Sequence, residues 1–207
     1  MTLRLNGSTS GYTEIDAPAV AGSNTLVLPG GNGSAGNILG TDGAGNLSWV
    51  NGRMVLGTSQ ASTSGTSIDF TGIPSWVKRI TVMFSGVSTN GTSSPLIQIG
   101  AGSIVTTGYS SYASYTTGTS VSSGSATTGL LIHQPGATGT LFGNLIISLV
   151  SGNTWVGSYT LGNFGASAVH IGGGGITLSG TLDRVRITTV NGTDTFDAGS
   201  INILMEG

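Results

Sequence analysis

Between Arg79 and Asp183 lie 103 consecutive residues without one Asp, Glu, Lys or Arg. This stretch lacks the three-and-four apolar spacing of an amphipathic helix, and glycine interrupts nearly every ten-residue segment. What recurs instead is short runs of Val, Ile, Thr and aromatic residues bounded by Gly, Asn, Ser and Pro, the pattern of half-buried strands. Asn-Gly pairs at 6–7, 32–33, 51–52, 90–91 and 191–192 add turn signals, since both residues accept the positive φ of tight hairpins. The expected fold class is all-β, an antiparallel β-sandwich with jelly-roll-like character.

The alternation is clearest in WVKRITVMFSGV. There Ile80, Val82 and Phe84 share one face, and Arg79, Thr81 and Met83 the other. In LDRVRITTV, Val185 and Ile187 oppose Arg184, Arg186 and Thr188. The main expected strands are 67–71, 77–87, 95–100, 104–107, 128–134, 141–150, 154–161, 167–171, 175–178, 181–190 and 200–206. Residues 108–115, GYSSYASY, read as a polar loop. Residues 1–50 differ in texture, with Pro18, Pro29 and the glycine-dense 29–46. They hold too few large apolar groups for a core, which predicts an extended arm ordered by packing on something else. Within the arm, 2–6, 12–16, 25–28 and 47–50 are short extended pieces, and the β-sandwich domain spans 51–207.

Only 7% of residues are Asp, Glu, Lys or Arg, against about 25% in a typical domain. Catalytic machinery draws on tuned carboxylates, Lys, His or Cys, and the uncharged half offers only His133 and His170. Neither has a carboxylate nearby in sequence, which predicts packing, turn or interface roles rather than catalysis. A net charge of −2, with Lys78-Arg79 as the longest basic run, excludes a phosphate-binding surface, so no nucleic-acid partner is expected. Cysteine is absent, which removes disulfides and thiolate ligands. LFGNLIISLV (141–150) is too short to span a bilayer, and nothing at the N-terminus resembles a signal peptide. No membrane partner and no cofactor are expected.

Gly31-x-Gly33-x-x-Gly36 matches a dinucleotide fingerprint, but NILGTDGAGN follows where a helix should begin. The expectation is a glycine loop without a ligand. Asn191, Asp194 and Asp197 supply oxygens within seven residues, fewer than a calcium ion takes and without EF-hand spacing, so turn capping is expected. Asp183, Arg184 and Arg186 can pair with Asp69 and Lys78-Arg79 if their strands are neighbours. Tyr109, Tyr112, Tyr115 and Trp155 are amphipathic residues in uncharged surroundings, suited to stacking on glycan rings or filling a subunit seam.

Residues 55–100 (VLGTSQASTSGTSIDFTGIPSWVKRI…) and 179–206 (SGTLDRVRITTVNGTDTFDAGSINILME) resemble the distal β-sandwich domain of phage tail fibres and tailspikes. They are also similar to the small trimeric cement proteins of phage capsids. Residues 3–50 are similar to a module that opens many phage virion proteins. The resemblance implies a homotrimer on the virion's outer surface, made in the host cytoplasm, with no catalytic residues. It implies an N-terminal part that docks on the particle, through Leu3, Leu5, Tyr12, Ile15, Leu26 and Leu28. A fibre carries a long repetitive shaft, whereas here the arm meets the domain directly. That departure favours a decoration protein bound to the major capsid protein over a receptor-binding fibre tip that touches host-surface glycans.

Overall fold

The computed structural model describes residues 3–207 apart from 17, 21, 35, 53, 119, 135, 137 and 138. The chain forms two compact units, 1–52 and 53–207. All regular elements among the described residues are strands, and every strand pairing is antiparallel.

The first unit consists of two hairpins. Strands β1 (Leu3–Asn6) and β2 (Tyr12–Ile15) pair with Leu3 opposite Ile15 and Arg4 opposite Glu14. One face therefore carries Leu3, Leu5 and Ile15, and the other carries Arg4, Glu14 and Tyr12. On the polar face Arg4 Nε donates to Glu14 Oε1 at 2.6 Å, and the guanidinium lies 4.1 Å above the Tyr12 ring. Strands β3 (Asn37–Thr41) and β4 (Leu47–Asn51) form the second hairpin, pairing Ile38 with Val50 and Leu39 with Trp49. Strand β3 falls inside the glycine-dense 29–46, whose composition reads as loop. Its Ile38-Leu39 core suffices because Trp49 and Val50 stand opposite. The expected strand at 25–28 reduces to one parallel bridge, Val27 to Asn46.

The glycine fingerprint has a packing explanation here. Trp49 Nε1 donates to the Gly31 carbonyl at 2.7 Å, and a Cβ on Gly33 would come within 2.7 Å of the indole. Glycine lets the backbone lie on the ring face. Even so, no described side chain of this unit is buried.

The second unit contains β5 (Met54–Leu56), β6 (Gln60–Ala61), β7 (Ile68–Thr71), β8 (Arg79–Thr89), β9 (Pro95–Ala101), β10 (Ser103–Ile104), β11 (Ser110–Thr117) and β12 (Ser120–Ala126). It continues with β13 (Leu130–Leu131), β14 (Thr140–Ser151), β15 (Thr154–Phe164), β16 (Ala168–Thr177), β17 (Arg184–Thr189) and β18 (Phe196–Glu206). A nine-stranded sheet runs β12-β11-β16-β15-β14-β8-β18-β5, with β6 also on β18. A five-stranded sheet runs β10-β9-β17-β7, with β13 also on β9.

One cluster of buried side chains draws on both sheets. Ile80, Val82 and Phe84 of β8 join Leu145 and Ile147 of β14 and Ile201 and Ile203 of β18. From the smaller sheet come Ile97, Ile99, Val185, Ile187, Ile68 and Phe70. The β8 and β17 residues are those the alternation assigned inward. Each such fully buried side chain contributes about 1.5–3 kcal/mol.

Strands β14, β15 and β16 follow one another in one sheet, and β11, joined to β14 by a long connection, lies beside β16, which is a Greek-key order. Gly152-Asn153 joins the first pair tightly, with Gly152 at φ 55°. Such a connection keeps consecutive strands adjacent. A correction concerns β16 (Ala168–Thr177), expected as two pieces, 167–171 and 175–178, on either side of Gly172–Gly174. It is continuous because β15 and β11 bond it along its length. At Gly172 the Tyr159 ring takes the place of a side chain, and a Cβ there would lie 2.6 Å from the Tyr159 hydroxyl.

Candidate functional site

GYSSYASY is not a loop. Residues 110–117 form β11, which pairs with β16 on one side and with β12 on the other. The Ser/Thr/Gly composition hid this hairpin, since its stability comes from ladder bonds to β16 rather than from large side chains. Alternation then divides the tyrosines. Tyr112 points out, 62% exposed, and its hydroxyl donates to Ser123 Oγ at 2.9 Å. Tyr115 points inward and is half-buried. Tyr109, just before the strand, is buried; its hydroxyl accepts from Ile99 N at 2.7 Å and donates to Ile99 O at 3.1 Å. Burial pushes its pKa up to about 12. Trp155 is also buried, in the core. The four residues therefore share no surface, and the platform they were expected to form is absent.

The histidines meet inside the domain. His170 on β16 is fully buried, and its Nδ1–H donates to the His133 carbonyl at 2.6 Å. His133 Nε2 lies 3.1 Å from Ser122 Oγ, and the Tyr115 ring sits 5.1 Å from His133 and 5.8 Å from His170. Burial pushes both imidazoles below their ordinary pKa. No carboxylate faces them, and His170 Nε2 has no partner among the described residues. The pair cannot relay a proton as a Ser-His-Asp arrangement does, and His170 cannot reach a neighbouring subunit.

The carboxylates of this unit all have described partners. Asp69 takes a two-pronged bond from Arg186, at 2.7 and 2.8 Å. Asp183 takes one from Arg184, which holds its carboxyl below the usual range, and also accepts from Gly102 N. Glu206 lies 3.4 Å from Arg79. Asp194 accepts from Asn191 Nδ2 at 2.6 Å and Ser93 N at 2.8 Å, while Asn191 Oδ1 caps the turn amides of Thr193 and Asp194. Asp197 turns away to Ser88. The oxygens considered for calcium are thus spent on a turn and on a different strand.

The clearest functional feature is one of surface composition. The outward side of the small sheet carries Asp69, Arg184 and Arg186. The outward side of the large sheet, from β14 through β15, β16 and β11 to β12, carries no charge. Register aligns its side chains in rows. Phe142, Gly162, Val169, Thr116 and Val121 make one, and Asn144, Thr160, Ile171, Ser114 and Ser123 the next. Phe142, Val156, Phe164, Val169 and Ile171 are each at least 44% exposed. A shallow depression of about 350 Å³ lies between Phe142, Gly162, Phe164 and Val169, and another of about 440 Å³ beside Tyr112 and Ile171. The sequence signal for this face was available: β14–β16 place apolar residues on both phases of the alternation. The N-terminal unit also exposes apolar side chains: Leu3, Leu5 and Ile15 on one face of its first hairpin, Tyr12 on the other face, and Leu26 and Leu28 in the segment between the hairpins, each 54% to 71% exposed.

Comparison with known protein families, with characterised proteins and with solved structures finds no match for this chain.

Proposed function

We propose that this chain is a phage virion structural protein. It is a decoration, or cement, protein: a trimer of two-layer β-sandwiches on the outer capsid whose N-terminal units grip the major capsid protein. The reading rests on the resemblance of residues 3–50, 55–100 and 179–206. The observation that carries it is the N-terminal unit: one hairpin apolar on one side, a second with apolar side chains on both faces, and no described side chain buried. Isolated hairpins are marginal in water, so a unit built this way is completed by a partner. A trimer presents three such units, and linked weak contacts multiply through effective concentration. Binding only the assembled shell stabilises it by mass action.

Quantifying the protein on purified particles tests this. Copies in the hundreds, spread over the shell, support a cement role. A few copies at the tail move the reading to a short fibre or tailspike tip that touches host-surface glycans, and absence from particles overturns both. Removing residues 1–52 leaves every buried apolar residue in place, so the remainder is expected to fold yet lose the particle.

A further inference from the structure

We infer that a second copy of this chain covers the uncharged outer face of the nine-stranded sheet. This deepens the oligomer named above by assigning its surface, and it shares with that reading only the self-association. Charge is the first argument. A typical soluble surface is about 25–35% charged, yet five adjacent strands here present Ser, Thr, Asn, Gly, Tyr and apolar side chains, none of them charged. A charged partner docking there would lose its water and gain no counter-charge, a cost of several kcal/mol. The surface that matches is another without charge, and each copy of this chain brings one.

Area is the second argument. Five strands at about 4.8 Å spacing, with about ten residues each rising about 3.3 Å, give a footprint of roughly 800 Å². A stable complex buries about 800 Å² per partner. Shape is the third. Phe164, 80% exposed, and Tyr112 stand proud on this face, while the depression at Gly162 lies between Phe142, Phe164 and Val169. Knobs and a hollow on one patch let copies interlock around a threefold axis, the knob of each meeting the hollow of the next. The sheet also ends on this side in β12, whose SVSSGSA has none of the Lys or Pro that shield free edges.

Sedimentation velocity of the full chain tests the inference, from about 1 to 100 µM and from about 0.05 to 1 M salt, where screening removes ionic interfaces. A dimer or trimer that persists at high salt is expected. Ile171→Lys and Thr160→Lys, both outward-facing, should each shift it to monomer by at least tenfold in dissociation constant, with circular dichroism unchanged. Thr71→Lys, on the outward side of the small sheet, should leave it intact. A wild-type monomer throughout overturns the inference and leaves the face to a different protein. An oligomer indifferent to both Ile171→Lys and Thr160→Lys, or one equally weakened by Thr71→Lys, overturns it as well. If the lysine variants dissociate but the protein is absent from particles, the virion reading falls and this one stands. If the protein decorates particles but its oligomer ignores both lysines, the virion reading stands and this one falls.

Discussion

Replacing Tyr109 by Phe isolates one hydroxyl whose work can be reckoned from the ladder around it. On the side of β9 away from β17, β13 pairs with Leu96 and Ile97, and β10 pairs with Gly100 and Ala101. Residue 99 falls in the gap. Its carbonyl accepts from Val105 N at 3.1 Å, but its N–H is satisfied by the Tyr109 hydroxyl at 2.7 Å. Phe keeps the ring in the core and strands that N–H where water cannot reach it. An unsatisfied buried donor costs about 1–3 kcal/mol. For a unit of this size, each kcal/mol moves the melting temperature by about 2–4 °C, so a drop near 6 °C is expected, within roughly 2–12 °C. Tyr112→Phe is the matched control. Within one copy its hydroxyl meets Ser123 Oγ outside the core, and in the Thr160→Lys background, where copies stay apart, a change of this kind stays within about 0.5 kcal/mol. Thermal melts followed by circular dichroism at pH 7 read both variants. Equal shifts in the two, or none at Tyr109, would refute the assignment of one tyrosine to the core and the other to the surface.

Three further outcomes follow from the same geometry. Burial holds His133 and His170 below their ordinary pKa, so the unfolded chain binds protons below about pH 6.5 that the folded one refuses. Stability is therefore complete above that pH and falls as pH drops through the window; melting temperatures from pH 7.5 to 5 should fall less steeply in His170→Gln, and equal slopes contradict the linkage. Gly172→Ala sets a Cβ 2.6 Å from the Tyr159 hydroxyl, which is fixed by its bond to Leu131 O; overpacking of this kind costs about 1–3 kcal/mol. Gly162→Ala meets nothing within 4 Å and should be close to neutral, so urea midpoints that fall alike for the two glycines exclude the contact as the cause. Asp69→Asn weakens a half-exposed pair with Arg186 and should cost less than about 1 kcal/mol; a loss above twice that, measured in urea, would show the pair to be structurally critical.

The legible part of this fold was its alternation. In β8 and β17 one phase is Val, Ile and Phe and the other, Met83 apart, charged or hydroxylated, so the apolar face could be named directly. Strands β11 and β12 were illegible for the opposite reason. SSYASYTT and SVSSGSA hold almost nothing that gains from burial, and they are strands because β16 offers its edge to β11, and β11 its own to β12. Strand β16 misled through its glycines, which read as turn until Tyr159 is seen lying over Gly172. The tyrosines show the same limit at a site. Tyr109, Tyr112 and Tyr115 are three residues apart, yet β-geometry and the gap at Ile99 send them to core, water and a histidine cluster.

The charge-free run means something different once placed on the sheets. Spread along the sequence it looked like a deficit, a stretch too poor for chemistry. In the fold it is an asymmetry between two outward faces of one unit. On the small sheet Arg186 meets Asp69 and Arg184 meets Asp183, each across less than 3 Å, with their side chains partly in water. On the large sheet the first charges appear only at β8 and β18, where Arg79 faces Glu206. Solubility alone explains the first face and not the second, because Ser and Thr next to exposed Phe and Ile carry no repulsion to keep copies apart. The two faces therefore control for each other: a lysine added to the wet one changes little, and a lysine added to the other must be desolvated whenever copies meet.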